Sequence, residues 1–302
     1  MNFNVHLRSA QRLPATVLQL ALFLAVAIPA VGQISPDQIS APLAEEILSP
    51  QVSLYQVRRF VLDRVANPPA PASARQWTSE ANRIGEHLLN DVVFHGWQQD
   101  VVTSPPKFEE VGVIETGKGY RIRKFRYEIV PGFQSAALLY EPENPQRGSP
   151  AILNVNGHSG AIGKAREDKQ KRCIQFAKHG ILALNLEWLS CGELASKENR
   201  HWFGEHLDLV GRQEVGLFYL AMRRGLDFLD RHPFVDRKRL GMTGLSGGGW
   251  QTIMLSSLDE RIKVAVPVAG FSSIASRIEA KRRSLLSVET PHQRCSPCQS
   301  CS

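Results

Sequence analysis

Residues 239–250, RLGMTGLSGGGW, hold a serine flanked two positions away on each side by glycine: Gly244, Leu245, Ser246, Gly247, Gly248. RLGMTG reads as a strand and GGWQTIMLSSL as a helix, so Ser246 is expected at a sharp strand-to-helix turn. Such a turn strains the serine backbone and brings the residues two positions away too close for side chains, hence glycine at both places. The strain lifts the hydroxyl clear of the sheet, and the first amides of the following helix favour negative charge beside it. Those are the needs of a nucleophilic hydroxyl in acyl transfer. Glycine-rich turns also serve tight packing or phosphate binding, but the lysine of GxxxxGK[ST] and a dinucleotide GxGxxG are both missing from the chain.

Acyl transfer needs two donors aimed at the tetrahedral oxyanion. The backbone amide of Gly247 supplies one. The other is expected from NGHSG at 156–160, after the strand AILNVNG, as the backbone amide of His158 or of Ser159. His158 has a second reading as a general base, against which its place on the oxyanion loop argues. Glu187 and Trp188 end the next strand at the same sheet edge, where they border the pocket or serve capping and packing.

The elements that must position these residues follow from periodicity. Residues 33–110 read as a helical lead-in, with apolar residues such as Ile84, Leu88 and Val92 three or four apart and a loop at NPPAPASA, 67–74. From residue 110 the period becomes two: EEVGVIET and YRIRKFRYEIV form strands around a glycine turn, and FQSAALLYEP forms a third. A change of alternation between Ile122 and Phe125 suggests a bulge. Beyond residue 150, short apolar runs alternate with helical patterns: REDKQKRCIQFAKHG closing on Gly180, the strand ILALNLEW, and a helix placing Val215, Phe218, Met222, Leu226 and Leu229 on one face. KVAVPVAG, 263–270, is a further strand. This rhythm predicts an α/β fold with a mostly parallel sheet covered by helices on both faces.

Composition agrees with a globular chain: 302 residues, 43% apolar and 22% charged. Arg8 and Arg12 precede the apolar run VLQLALFLAVAIPAV, and AVG then Gln33 offers small-x-small, so residues 1–32 are expected to be a cleaved export signal. The mature protein would be periplasmic or secreted, free of the membrane. An uncleaved anchor is the alternative, but the run is short for a span and holds Gln19 and Pro29. Cleavage removes two arginines and no acid, lowering the net charge from +7 to +5. Arg121, Arg123, Lys124 and Arg126 alternate with apolar residues as on the wet face of a strand, so no nucleic-acid partner is expected.

The runs around these motifs carry a resemblance. FEEVGVIETGKGYRIRKFRYEIVPGFQSAALLYEP, PAILNVNGH, KQKRCIQFAKHGILALNLEW, LDLVGRQEVGLFYLAMRRGLDFLDRHPFVD and RLGMTGLSGGGWQTIMLSSLDERIKVAVPVAGF resemble the acetylxylan-esterase-like and dienelactone-hydrolase-like α/β hydrolases of bacteria. The resemblance covers roughly residues 75–280. It implies an α/β-hydrolase fold, Ser246 as nucleophile, a carbohydrate or small acyl ester as substrate, and no metal or other cofactor. It also implies an acid and a histidine after two further strands. Beyond Gly270 there remain 32 residues, fewer than two strands and a helix need. The expectation is thus an incomplete fold in four parts: export signal 1–32, helical segment 33–110, hydrolase core 111–282 with the family's strands one to six only, KVAVPVAGF matching the sixth, and an atypical tail 283–302. Some hydrolases of this fold carry the acid after the sixth strand, which makes Glu279, with His292, the substitute acid and base. An impaired esterase is expected, or alternatively a non-catalytic remnant or binding protein on the same scaffold. His292, Cys295, Cys298 and Cys301 read as an accidental tail rather than a metal site, because CxxCxxC lacks a second knuckle.

Overall fold

The computed structural model describes residues 35–196 and 201–279. The export signal, His292 and the three tail cysteines lie outside them. Among the described residues no helix is long and apolar enough to cross a membrane.

The chain divides into two compact units, residues 1–63 and 64–302. In the first, α1 (Pro36–Leu43) and α2 (Pro50–Leu62) each begin at a serine cap followed by proline. At α1 the cap is reciprocal: Ser35 Oγ accepts from the Gln38 amide, and Gln38 Oε1 accepts from the Ser35 amide at 2.9 Å.

In the second unit α3 (Ala74–His87) runs into a π-helical stretch, Leu88–Val93. Residues 64–110, read from the sequence with the helical lead-in, belong to this unit. Val93 and Val102 are buried, and Leu89, Phe94 and Trp97 pack on the main core.

Seven strands follow: β1 (Lys107–Glu115), β2 (Tyr120–Val130), β3 (Phe133–Pro142), β4 (Ser149–Val155), β5 (Leu182–Leu186), β6 (Val235–Leu245) and β7 (Val264–Val268). Their order is β1-β2-β3-β5-β4-β6-β7. The longer helices among them are α4 (Glu167–Lys178), α5 (Glu214–Arg231) and α6 (Gly247–Leu258), with the short α7 (Ile274–Glu279) after β7. The sheet is mixed: β5, β4, β6 and β7 run parallel, whereas β1, β2, β3 and β5 pair antiparallel.

Two cores flank the sheet. Tyr120 and Ile122 of β2 join Tyr140, Cys173, Ala177 and Ala183 under α4. Phe125, Tyr127 and Ile129 join the larger core with Phe218, Met222, Leu226 and Leu229 of α5. The altered alternation between Ile122 and Phe125 is therefore a change of face and not a bulge in β2, whose pairing with β3 is unbroken from Tyr120 to Glu128. The bulge at this level belongs to β1, where the register shifts between Glu110 and Gly112 opposite Phe125 and Lys124. Cys173 and Cys191 are both free and sit in different cores. The basic residues of β2 meet acids on the neighbouring strands: Arg121 with Glu141 at 2.7 Å, Arg123 with Glu110, and Arg126 with Glu109.

Arg224 of α5 is 2% exposed and ties the helical lead-in to the sheet. Its guanidinium donates to the carbonyls of Ser104, Val101 and Ile129 at 2.5, 2.8 and 3.2 Å, and to Ser104 Oγ at 2.9 Å. Burial lowers its pKa. Arg224→Met should leave these acceptors dry and unpaired, and lower stability by about 3 kcal/mol in equilibrium urea unfolding. A loss under about 1 kcal/mol would show that water or a shifted backbone replaces the guanidinium.

Candidate active site

β4 and β6 are neighbours, but the chain leaving β4 goes to β5 on one side, and the chain leaving β6 goes to β7 on the other. Two parallel strands whose exits diverge leave a crevice at their carboxyl ends, where open α/β sheets bind ligands. Residues 156–160 follow β4 and the turn at Ser246 follows β6, so both stand at this end of the sheet.

Ser246 joins β6 directly to α6 with φ 58° and ψ −117°, outside the regions open to ordinary L residues. Such strain is worth about 1–3 kcal/mol and persists only where the surroundings over-determine it. The Ser246 amide donates to the Val268 carbonyl at 2.8 Å, and the Ser246 carbonyl accepts from the Trp250 amide at 3.0 Å. Ser190 and Ala269 also have positive φ, just past the ends of β5 and β7, so strain collects along this one edge. The Ser246 side chain is exposed.

The glycines around Ser246 have no room for a methyl group. A Cβ on Gly244 would fall 2.5 Å from the Gly248 carbonyl and 2.6 Å from that of Val155. One on Gly248 would fall 2.4 Å from the Val155 carbonyl. On the facing loop, a Cβ on Gly157 would lie 2.7 Å from the Gly247 nitrogen. The backbone of NGHSG is thus in direct contact with the head of α6.

A buried amide network holds that loop. Asn156 Nδ2 donates to Asn185 Oδ1 at 2.7 Å and to the Leu186 carbonyl at 2.6 Å. Asn154 Nδ2 reaches the same Asn185 oxygen at 2.9 Å, and Asn185 Nδ2 donates to the Lys164 carbonyl at 2.9 Å. Gln251 Nε2, on α6, donates to the Asn156 carbonyl at 2.6 Å, and Ser159 Oγ donates to the Gly157 carbonyl at 2.9 Å. Of these residues the sequence reading named only Ser159. Their signal was visible as polar side chains inside the apolar strands AILNVNG and ILALNLEW, where burial demands a partner.

Glu187 is locked in place: its carboxylate accepts from the Lys164 amide at 2.8 Å and from Lys164 Nζ at 3.0 Å. Gly163 and Gly192 press against the same carboxylate. Trp188 is 5% exposed, with its ring against Gly247 and 5.0 Å from Phe218, while His158 lies 5.6 Å from it and is itself exposed. Glu187 and Trp188 are thus both buried, the first in an ion pair with Lys164 and the second in the main core. Glu279 is exposed on α7, and His292 lies outside the described residues. Among the described residues no group of three or more His, Cys, Asp or Glu side chains is arranged to hold a metal ion.

No protein-family model matches the chain. The candidate hydrolase YtaP of Bacillus subtilis (strain 168) is 24% identical over 144 residues, covering 44% of this chain and 47% of its own length. The solved structure of a candidate acetyl xylan esterase from Bacteroides fragilis superposes with a TM-score of 0.56 and 18% identity, over 72% of this chain and 59% of that one. A methylesterase structure superposes with a TM-score of 0.53 and 21% identity, over 74% and 46%. The chain thus spans about half the length of these proteins. The likeness to the two structures establishes the fold, that of the α/β hydrolases.

Two outcomes follow from this geometry. Gly244→Ala should lower stability by about 3 kcal/mol in urea titration, because the atoms it meets are all backbone. Glu214, at the head of α5, has its pKa raised to about 7 by burial and then by Glu205 and Asp208. The folded chain holds this proton more tightly than the unfolded one, so the stability it contributes is complete below the ordinary carboxylate pKa and lost as pH rises through about 7. Glu214→Gln should therefore melt with wild type near pH 4.5 and above it near pH ~8. The same difference in Tm at both pH values would contradict the shift.

Proposed function

We propose that this α/β-hydrolase fold serves as a serine ester hydrolase acting on carbohydrate or small acyl esters, with Ser246 as nucleophile. The observation that carries the reading is the backbone of Ser246, φ 58° and ψ −117°, between β6 and α6 with glycine packed against backbone on both sides. Strain of this kind has no packing purpose for an exposed hydroxyl, and it stands at the sheet's switch point, where open α/β sheets bind ligands.

In this reading the hydroxyl attacks the ester carbonyl carbon, its proton passes to a base, and the carbonyl oxygen becomes an oxyanion. The amides of Gly247 and of His158 or Ser159 receive that charge. The carbonyl groups of Asn156 and Gly157 are both held by hydrogen bonds, and each trans peptide then fixes the amide on its opposite side. Breakdown expels the alcohol and leaves an acyl-serine that water hydrolyses. The base is His292, with Glu279 as its acid, or His158 from the oxyanion loop. The carbohydrate ester class is supported by the esterases that share the fold, and export through residues 1–32 would bring the enzyme to such substrates.

Incubation with a fluorophosphonate should leave one adduct, at Ser246 by peptide mass spectrometry, and 4-nitrophenyl acetate should be hydrolysed. Ser246→Ala should abolish the adduct. Of His158→Ala and His292→Ala, the one that lowers the labelling rate by about a hundredfold or more identifies the base. A folded wild-type chain with neither adduct nor turnover would leave the non-catalytic reading of the scaffold standing.

A further inference from the structure

We infer that Gln251 is a positioning residue of the oxyanion site, acting through the peptide that leads into the loop at 156–160. The inference rests on the esterase reading and extends it to a side chain that touches no substrate. Gln251 stands on α6, the helix that Ser246 heads, and is 5% exposed. Its Nε2 donates to the Asn156 carbonyl, just past the end of β4, at 2.6 Å. Asn156, 1% exposed, is held from the other side through its Nδ2 by Asn185 and the Leu186 carbonyl. One residue is thus clamped at side chain and main chain by two different elements.

The clamp matters because of what comes next. In a trans peptide the carbonyl and amide point in opposite directions, so holding the Asn156 oxygen also holds the Gly157 amide, and Gly157 already abuts the Gly247 nitrogen. Ser159 Oγ does the same for the following peptide through the Gly157 carbonyl. The two candidate oxyanion donors come from the head of α6 and from the loop at 156–160, and the bond from Gln251 joins that helix to the residue leading into that loop. Preorganised donors stabilise a developing oxyanion because they need not reorient during reaction, and a donor displaced by about 1 Å loses much of that effect. Gln251 therefore contributes to kcat and leaves ground-state binding of the ester largely unchanged.

The test compares the full-length chain with Gln251→Met, which keeps the side chain's length and apolar contacts and removes the amide group with its donor. For 4-nitrophenyl acetate, kcat should fall about 10- to 100-fold with KM within about threefold, the signature of an interaction made in the transition state. In 15N relaxation, the Gly157 and His158 amides should drop from rigid order parameters of about 0.85 to below about 0.6, while those of β4 stay rigid. Unchanged order parameters overturn the positioning claim, as does an unchanged kcat in an active wild type. Should wild type show neither turnover nor a Ser246 adduct, the esterase reading fails and the catalytic consequence with it, and the relaxation data alone decide whether Gln251 holds the loop.

Discussion

The close approach of two backbones, Gly157 on the loop after β4 and Gly247 at the head of α6, is the constraint on which the crevice depends. A side chain on Gly157 would collide with the Gly247 nitrogen, and one on Gly247 would press on the Gly157 Cα and the Trp188 ring. Behind Gly157 lies the amide network, and behind Gly247 the ring of Trp188. The strained turn at Ser246 is the result of forcing a strand to become a helix within one residue while keeping this contact. The bond from its amide to the Val268 carbonyl extends the restraint to β7.

Polar groups under the crevice do work that an apolar core could not. Hydrophobic packing is non-directional, whereas hydrogen bonds fix the orientation of a peptide plane. Asn154, Asn156 and Asn185 are each at most 1% exposed, their amide nitrogens all donate, and of their side-chain oxygens Asn156 Oδ1 alone has no partner, so at such a depth the donated bonds are costly to lose. The buried pair of Lys164 and Glu187 follows the same logic at higher stakes: Lys164 has a second acid in Glu193, but removing Lys164 strands the Glu187 carboxylate in a dry site. Its reward is specificity of placement: the lysine's own amide binds the same carboxylate, so the loop at 160–165 has one position.

Much of this was legible in the sequence because it is written in local periodicity. The GxSxG run between an apolar strand and a helix, the two-residue alternation from 110 to 142, and the helical face of Phe218, Met222 and Leu226 all appear as elements of the expected kind. What was not legible depends on residues far apart in the chain. Asn185 meets Asn154 across 31 positions, and Gln251 meets Asn156 across 95. Each looks alone like a polar residue misplaced in a core. The antiparallel pairing of the first three strands follows from glycine turns too short for a crossover, a feature present in the sequence and outweighed by the βα rhythm that comes after it. The apparent bulge in β2 has a related origin: alternation reports which face is buried, and β2 is buried on one face near its start and on the other near its end.

That exchange of faces ties the reading frame of β2 to the whole architecture. Tyr120 and Ile122 look toward α4, and Phe125, Tyr127 and Ile129 look toward α5. A slip of one residue against β3 would present arginines and lysine to both helices simultaneously and turn five large apolar side chains to water. Most strands lose one buried surface on slipping; this one would lose two at once. The strand works as a key cut on both sides, and it admits a single alignment.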